Sequence, residues 1–203
     1  MRPLRIGVLA SGRGTSLCPL ITAIKNQAIH ATIALIVSDK TDALVLAQQQ
    51  YGINTLSIEH RGKSREEHEQ IITKEFLVHQ VDLILLVGYM RILSKTFVDE
   101  WRNRILNVHP SLLPSFVGLM DLNVHRAVLA AQKKETGCTV HFVTEEVDGG
   151  RIFLQKRCAV APDDTPEILK ARVQTLEGEA LLEAVQKIIA SEETFFEQGS
   201  GTD

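Results

Sequence analysis

The sequence predicts an α/β fold, a doubly wound and mostly parallel sheet with an antiparallel strand pair in its C-terminal half. Three observations predict it. Short, nearly continuous apolar runs recur at intervals of roughly 20 to 30 residues, as strands buried on both faces require. Segments with helical spacing lie between them, the pattern of right-handed βαβ crossovers. The last two β-prone runs are joined by a connection too short for a helix, which makes them antiparallel neighbours.

In chain order, the first strand is Leu4–Ala10 (LRIGVLA) and the second Ala31–Ser38 (ATIALIVS). The third, over residues 54–58, is shorter, and the fourth spans 81–88 (VDLILLVG). Helical spacing covers 15–25, 43–51 and 65–79. The last of these opens on Ser64-Arg-Glu-Glu, a capping box of Ser64 and Glu67. A short helix is expected over 94–101 and a fifth strand at Ile105–His109. A Pro/Leu/Gly loop over 110–123 then leads to a helix over 124–132. Strands over 138–143 and Ile152–Ala159 follow, and a long amphipathic helix over 165–190 closes the fold. The acidic, then Gly/Ser-rich stretch 191–203 reads as a flexible tail, which leaves one domain over 1–190.

Composition narrows the function. The 203 residues are 44% apolar and 23% charged with a net charge of −3, an ordinary globular balance without the basic excess of a nucleic-acid binder. No apolar run approaches membrane-spanning length, and the first strand begins almost at Met1. The expectation is therefore no nucleic-acid or membrane partner, no cleaved leader and a cytoplasmic location. Cys18, Cys138 and Cys158 are odd in number and lack metal-ligand spacing, so they read as buried or inert thiols rather than a disulfide or zinc framework.

Four segments could carry chemistry. Ala10-Ser-Gly-Arg-Gly-Thr-Ser lies where the first strand turns into a helix, so free N–H groups there could hold a phosphate. It has neither the third glycine of a dinucleotide fingerprint nor a P-loop lysine, and reads equally as an ordinary strand–helix turn. Asn107 and His109 share one face at the carboxyl end of the fifth strand. Such a pair supplies donors for an oxyanion and a route for a proton, or merely satisfies nearby backbone. Asp148, in Glu-Glu-Val-Asp-Gly-Gly, is a candidate acid or a plain turn aspartate. Arg91, in Gly-Tyr-Met-Arg-Ile-Leu after the fourth strand, could line an anion pocket or cap a loop.

Taken together, IGVLASGRGTSL, LLVGYMRILS, LNVHPSLLPSF, GCTVHFVTEEVDGGRIFLQ and ARVQTLEGEALLEAV make the chain resemble the folate-dependent formyltransferases over about residues 4–190. Within that fold the sequence resembles the glycinamide ribonucleotide formyltransferases of purine (IMP) synthesis. The resemblance implies a Rossmann-like formyltransferase fold and formyl transfer from 10-formyltetrahydrofolate, as co-substrate, to the amine of glycinamide ribonucleotide. No metal is implied, and the expected assembly is a monomer or homodimer. Carried over, Asn107 and His109 stabilise the tetrahedral oxyanion, His109 protonates the departing folate nitrogen, and Asp148 assists. Gly14, Thr15 and Ser16 take the substrate phosphate, and Gln174 and Glu177 the ribose and its neighbours. Met90, Arg91, Ile92 and Leu93, with Asn107, hold the folate, and Arg65 meets its glutamate carboxylates.

This sequence departs from the family at Ser16, where the usual turn has Asn. The loop after Pro114 is also about two residues longer before His125. His141 falls outside the catalytic set. Three competing readings carry different expectations. Methionyl-tRNA formyltransferase adds a C-terminal nucleic-acid-binding domain, and formyltetrahydrofolate deformylase adds an N-terminal regulatory one, whereas the first and last predicted elements here lie near the ends of the sequence. A non-catalytic nucleotide-binding module would leave Asn107, His109 and Asp148 a coincidence.

Overall fold

Period-two alternation along the strands assigns each side chain to one of two cores. In β1 (Leu4–Ala10), Leu4, Ile6, Val8 and Ala10 join one buried cluster and Leu9 the other. The computed structural model describes residues 2–191. A 3-10 turn at Thr15–Leu17 leads into α1 (Cys18–Lys25), then β2 (Ala31–Ser38). A 3-10 winding over Leu44–Tyr51 precedes β3 (Thr55–Ser57), α2 (Arg65–Val78) and β4 (Leu83–Leu86). There follow α3 (Lys95–Glu100), β5 (Ile105–His109) and α4 (Leu122–Ala130). The last elements are β6 (Glu135–Phe142), β7 (Ile152–Ala159) and α5 (Pro166–Ala190).

The seven strands form one sheet in the order β3-β2-β1-β4-β5-β6-β7. The first five run parallel, β6 runs antiparallel to β5, and β7 antiparallel to β6. The doubly wound class and the antiparallel β6–β7 pair are as the sequence predicts. Leu20 and Ile21 of α1 and Val173, Leu181, Val185 and Ile188 of α5 cover one face. Ile72 and Phe76 of α2 and Phe97 of α3, with Trp101, cover the other. Trp101 is fully buried, packs edge-on against Phe76 at 5.9 Å, and its Nε1 donates to Thr73 Oγ1 at 3.1 Å, so its polar tip is satisfied.

Two local expectations need correction. Residues 43–51 wind as a 3-10 segment because Ala43 offers no side-chain cap and only Val45 is buried along it, leaving little packing to stabilise an α-helix. Residues 15–25 split into the 3-10 turn and α1, with Pro19 in the first turn of the helix. The three cysteines are free, but Cys18 is exposed rather than buried; burial pushes the Cys138 thiol up to about 12. The predicted flexible tail lies, from residue 192 on, outside the described residues.

The capping box at α2 is present in both directions: Ser64 Oγ accepts from the Glu67 N–H at 3.1 Å, and the Ser64 N–H donates to Glu67 Oε2 at 2.7 Å. Replacing Ser64 by Ala should destabilise the chain by about 1 kcal/mol, read as a lower urea midpoint at unchanged slope. An unchanged midpoint would mean that the cap contributes nothing.

Candidate active site

Strand order reverses between β1 and β4, and doubly wound sheets open a crevice at the carboxyl ends of the strands where this happens. Two loops meet there. The Ser11 N–H donates to the Gly88 carbonyl at 3.2 Å, and Ser11 Oγ accepts from the Met90 N–H at 3.0 Å. A cleft of about 530 Å³ runs from this junction along the ends of β5 and β6 to α5.

The cleft brings together most of the residues singled out in the sequence. Gly14, Thr15, Ser16, Met90, Arg91, Ile92, Leu93, Asn107, His109, Asp148, Gln174 and Glu177 all line it. Arg65 does not; it is exposed in the first turn of α2. Its helix starts after an exposed loop, so nothing in the fold turns its side chain into this cleft.

Antiparallel pairing of β5 with β6 sets Asn107 opposite His141 and His109 opposite Thr139. Asn107 Nδ2 lies 3.1 Å from His141 Nε2, and His141 Nδ1 donates to the Phe142 carbonyl at 2.9 Å. Asp148 enters from the β6–β7 connection. Its Oδ2 lies 3.2 Å from His109 Nδ1 and its Oδ1 3.5 Å from His141 Nε2. The carboxylate thus spans two imidazoles that are nearly inaccessible to solvent.

Burial pushes the Asp148 carboxyl up. The hydrogen bonds from His109, His141 and the Gly118 N–H (2.9 Å) outweigh that and hold it well below the usual carboxylate range. The turn that delivers it is strained and tight. Asp148 has φ of 54°, and a Cβ on Gly150 would fall 1.7 Å from the Phe142 carbonyl oxygen. Only glycine lets the chain fold back so closely on β6.

Loop 110–121 closes over this group. Thr139 Oγ1 donates to the Ser111 carbonyl at 2.7 Å and accepts from the Leu113 N–H at 3.0 Å. Gln155 Nε2 donates to the Leu113 carbonyl at 3.0 Å and to Thr139 Oγ1 at 2.9 Å. Beyond this anchor, the Phe116 carbonyl lies 3.2 Å from His109 Nε2, and Asp121 forms an ion pair with Lys170 of α5.

Ser16 Oγ donates to Glu177 Oε2 at 2.7 Å, so the residue that replaces the family's Asn ties the glycine-rich turn to α5. Gly14 has φ of 65°, and an added Cβ would meet Val45 Cγ2 at 2.5 Å. Its requirement for glycine therefore comes from the backbone and from Val45. Sequence reasoning left out His141, Thr139, Gln155, Asp121 and Lys170. The first two follow from the β5–β6 register; the others have no local signal.

A family model described as formyl transferase matches residues 4–185. The chain belongs to the formyl transferase family. It is 40% identical over 176 residues to the phosphoribosylglycinamide formyltransferase of Escherichia coli, covering 86% of this chain and 82% of that protein. It is 42% identical over 192 residues to the trifunctional purine biosynthetic protein adenosine-3 of Drosophila melanogaster, covering 93% of this chain but only 14% of that protein. The solved phosphoribosylglycinamide formyltransferase of Coxiella burnetii, in complex with CHES, superposes with a TM-score of 0.87 at 40% identity, over 93% of this chain and 88% of that one. A formyltetrahydrofolate deformylase from Pseudomonas syringae shares the fold at 25% identity and a TM-score of 0.85, and this chain spans 62% of it. Among the described residues, no helix is long and apolar enough to cross a membrane.

His125, on α4 at the cleft wall, is buried, and its Nδ1 has no hydrogen-bond partner. Burial, then the Lys170 ammonium, push it down to about 4 from 6.5, against the opposing charge of Asp121. Between those values the unfolded chain binds the proton and the folded one does not, so stability falls as the pH drops from 6.5 towards 4. Going from pH 7.5 to pH 5 should cost the native chain roughly 1–2 kcal/mol more than His125→Asn, measured by urea denaturation at both pH values. Equal losses would mean that His125 titrates normally.

Proposed function

We propose that the chain, acting as one formyl transferase domain over 1–190, transfers the formyl group of 10-formyltetrahydrofolate to the amine of glycinamide ribonucleotide. The observation that carries this reading is the Asn107–His109–Asp148 group set beside His141, in the same cleft as the 14–16 turn and the 90–93 segment. A formyl donor, an anionic nucleotide and a proton relay thereby have one common place. The cytoplasmic location and the absence of nucleic-acid and membrane partners belong to the same proposal.

The neutral amine attacks the formyl carbon, a C–N bond forms, and the carbonyl electrons move onto oxygen. Asn107 carries two amide hydrogens; one faces His141 and the other serves the oxyanion. His109 donates from Nε2 to the same centre, with Asp148 fixing the ring through Nδ1. Collapse of the intermediate breaks the bond to the folate nitrogen, which takes its proton from His109, while the amine proton leaves through water towards Asp148. His109 faces two acceptors, Asp148 Oδ2 at Nδ1 and the Phe116 carbonyl at Nε2. The phosphate lies on the N–H groups of the 14–16 turn, Gln174 and Glu177 hold the ribose, and Met90 to Leu93 hold the folate. Arg65 can reach the glutamate carboxylates only where they project beyond the cleft.

Formyl transfer with purified chain, assayed with and without glycinamide ribonucleotide, tests this. Folate should be deformylated only when the ribonucleotide is present and formylated. Hydrolysis without it would make the chain a deformylase. Asn107→Ala should lower kcat by about 10²–10³, the scale for one oxyanion donor; near-native turnover would remove Asn107 from the chemistry.

A further inference from the structure

Among the described residues, the cleft is lined by three Lys or Arg side chains, Arg13, Arg91 and Lys170. Arg13 is exposed, and Arg91 follows β4 on the side assigned to folate. Lys170 differs from both. It sits on α5 one helical turn before Gln174 and two before Glu177, so the i, i+4, i+7 spacing puts all three on one face. That face meets the glycine-rich turn, because Glu177 accepts from Ser16 Oγ at 2.7 Å. Seven residues of helix span about 10 Å, a distance that a lysine stem and the length of a nucleotide monophosphate cover together.

The ammonium of Lys170 is held by Asp121, itself at the cleft wall and in an unusual backbone conformation, φ 53° and ψ −135°. That conformation is costly for a residue with a Cβ, and no side-chain cap bond offsets it at the start of α4. The Lys170 side chain keeps about a third of its surface open, 31%, so it is free to turn from one anion to another. Glu177, the remaining acid on this face, is half-buried, and desolvation pushes its carboxyl up, which weakens its opposition to an incoming anion.

We propose that Lys170 is a nucleotide-binding residue: it pairs with loop residue Asp121 in the free chain and with the substrate phosphate in the complex, so that Asp121 and the phosphate compete for one cation. This rests on the reading of the cleft as a ribonucleotide site. Exchange also removes one of three ties that hold the end of loop 110–121. The others are the Phe116 carbonyl at His109 Nε2 and the Gly118 N–H at Asp148 Oδ2. Arrival of the nucleotide is thereby coupled to the loop that covers the catalytic imidazole.

Competition makes opposite predictions for the two partners, whereas a purely structural ion pair would make the same one. Calorimetric titration of glycinamide ribonucleotide, its dephosphorylated ribonucleoside and ribose 5-phosphate into the native chain, Lys170→Met and Asp121→Asn reads the difference. Lys170→Met should weaken both phosphorylated ligands by about tenfold, the scale of one charge-assisted hydrogen bond, and leave the ribonucleoside unchanged. Asp121→Asn should tighten both phosphorylated ligands several-fold. Weaker binding in both variants, an equal loss for the ribonucleoside, or no change in Lys170→Met would overturn the proposal. If the native chain binds ribose 5-phosphate but not the ribonucleotide, the proposed substrate fails, and the signs of the two variants with ribose 5-phosphate still decide the role of Lys170. Unfolding midpoints of the three chains show whether each is folded, and Lys170→Gln, which keeps a polar end, repeats the measurement if Lys170→Met is not.

Discussion

The buried carboxylate of Asp148 constrains everything around it. A negative charge with so little access to water must be met by donors, and here His109, His141 and the Gly118 N–H meet it. Each donor comes from a different part of the chain: β5, β6 and loop 110–121. Docking the Asp148 turn therefore fixes the relative position of two strands and one loop, and it does so where the sheet order opens a crevice. Strain at φ 54° and the forced glycine at 150 are the structural costs of bringing an acid from the far hairpin back over the end of β5.

The same arrangement ties the Asp148 carboxylate to α5 through the loop. Thr139 and Gln155 anchor its first half to the sheet. The second half touches His109, Asp148 and Lys170 in turn. One connection thus touches both the His109–Asp148 pair and α5.

Much of this was legible in the sequence because the informative residues act locally. Ser64 and Glu67 cap a helix from within one turn. The apolar runs report burial on both faces directly, and Asn107 and His109 share a face by strand geometry alone. The partnership of His141 with Asn107 needs the β5–β6 register, which no local pattern specifies. Gly14 depends on a distant residue in the same way: Val45, thirty-one residues later, leaves no room for a Cβ there. Arg65 was placed by family resemblance, and the start of α2 keeps it out of the cleft. The Asp121–Lys170 pair joins a loop to a helix forty-nine residues away, and neither residue carries a motif.

In the proposed formyl transfer His109 and Asp148 act as one unit. A double-mutant cycle of His109→Asn and Asp148→Asn, followed by single-turnover rates at saturating ribonucleotide and folate, tests it most directly. A unit predicts strong non-additivity: the double variant should be no slower than the worse single variant. Losses that multiply, each substitution exerting its full effect in the presence of the other, would contradict the account and show that the carboxylate and the imidazole work independently.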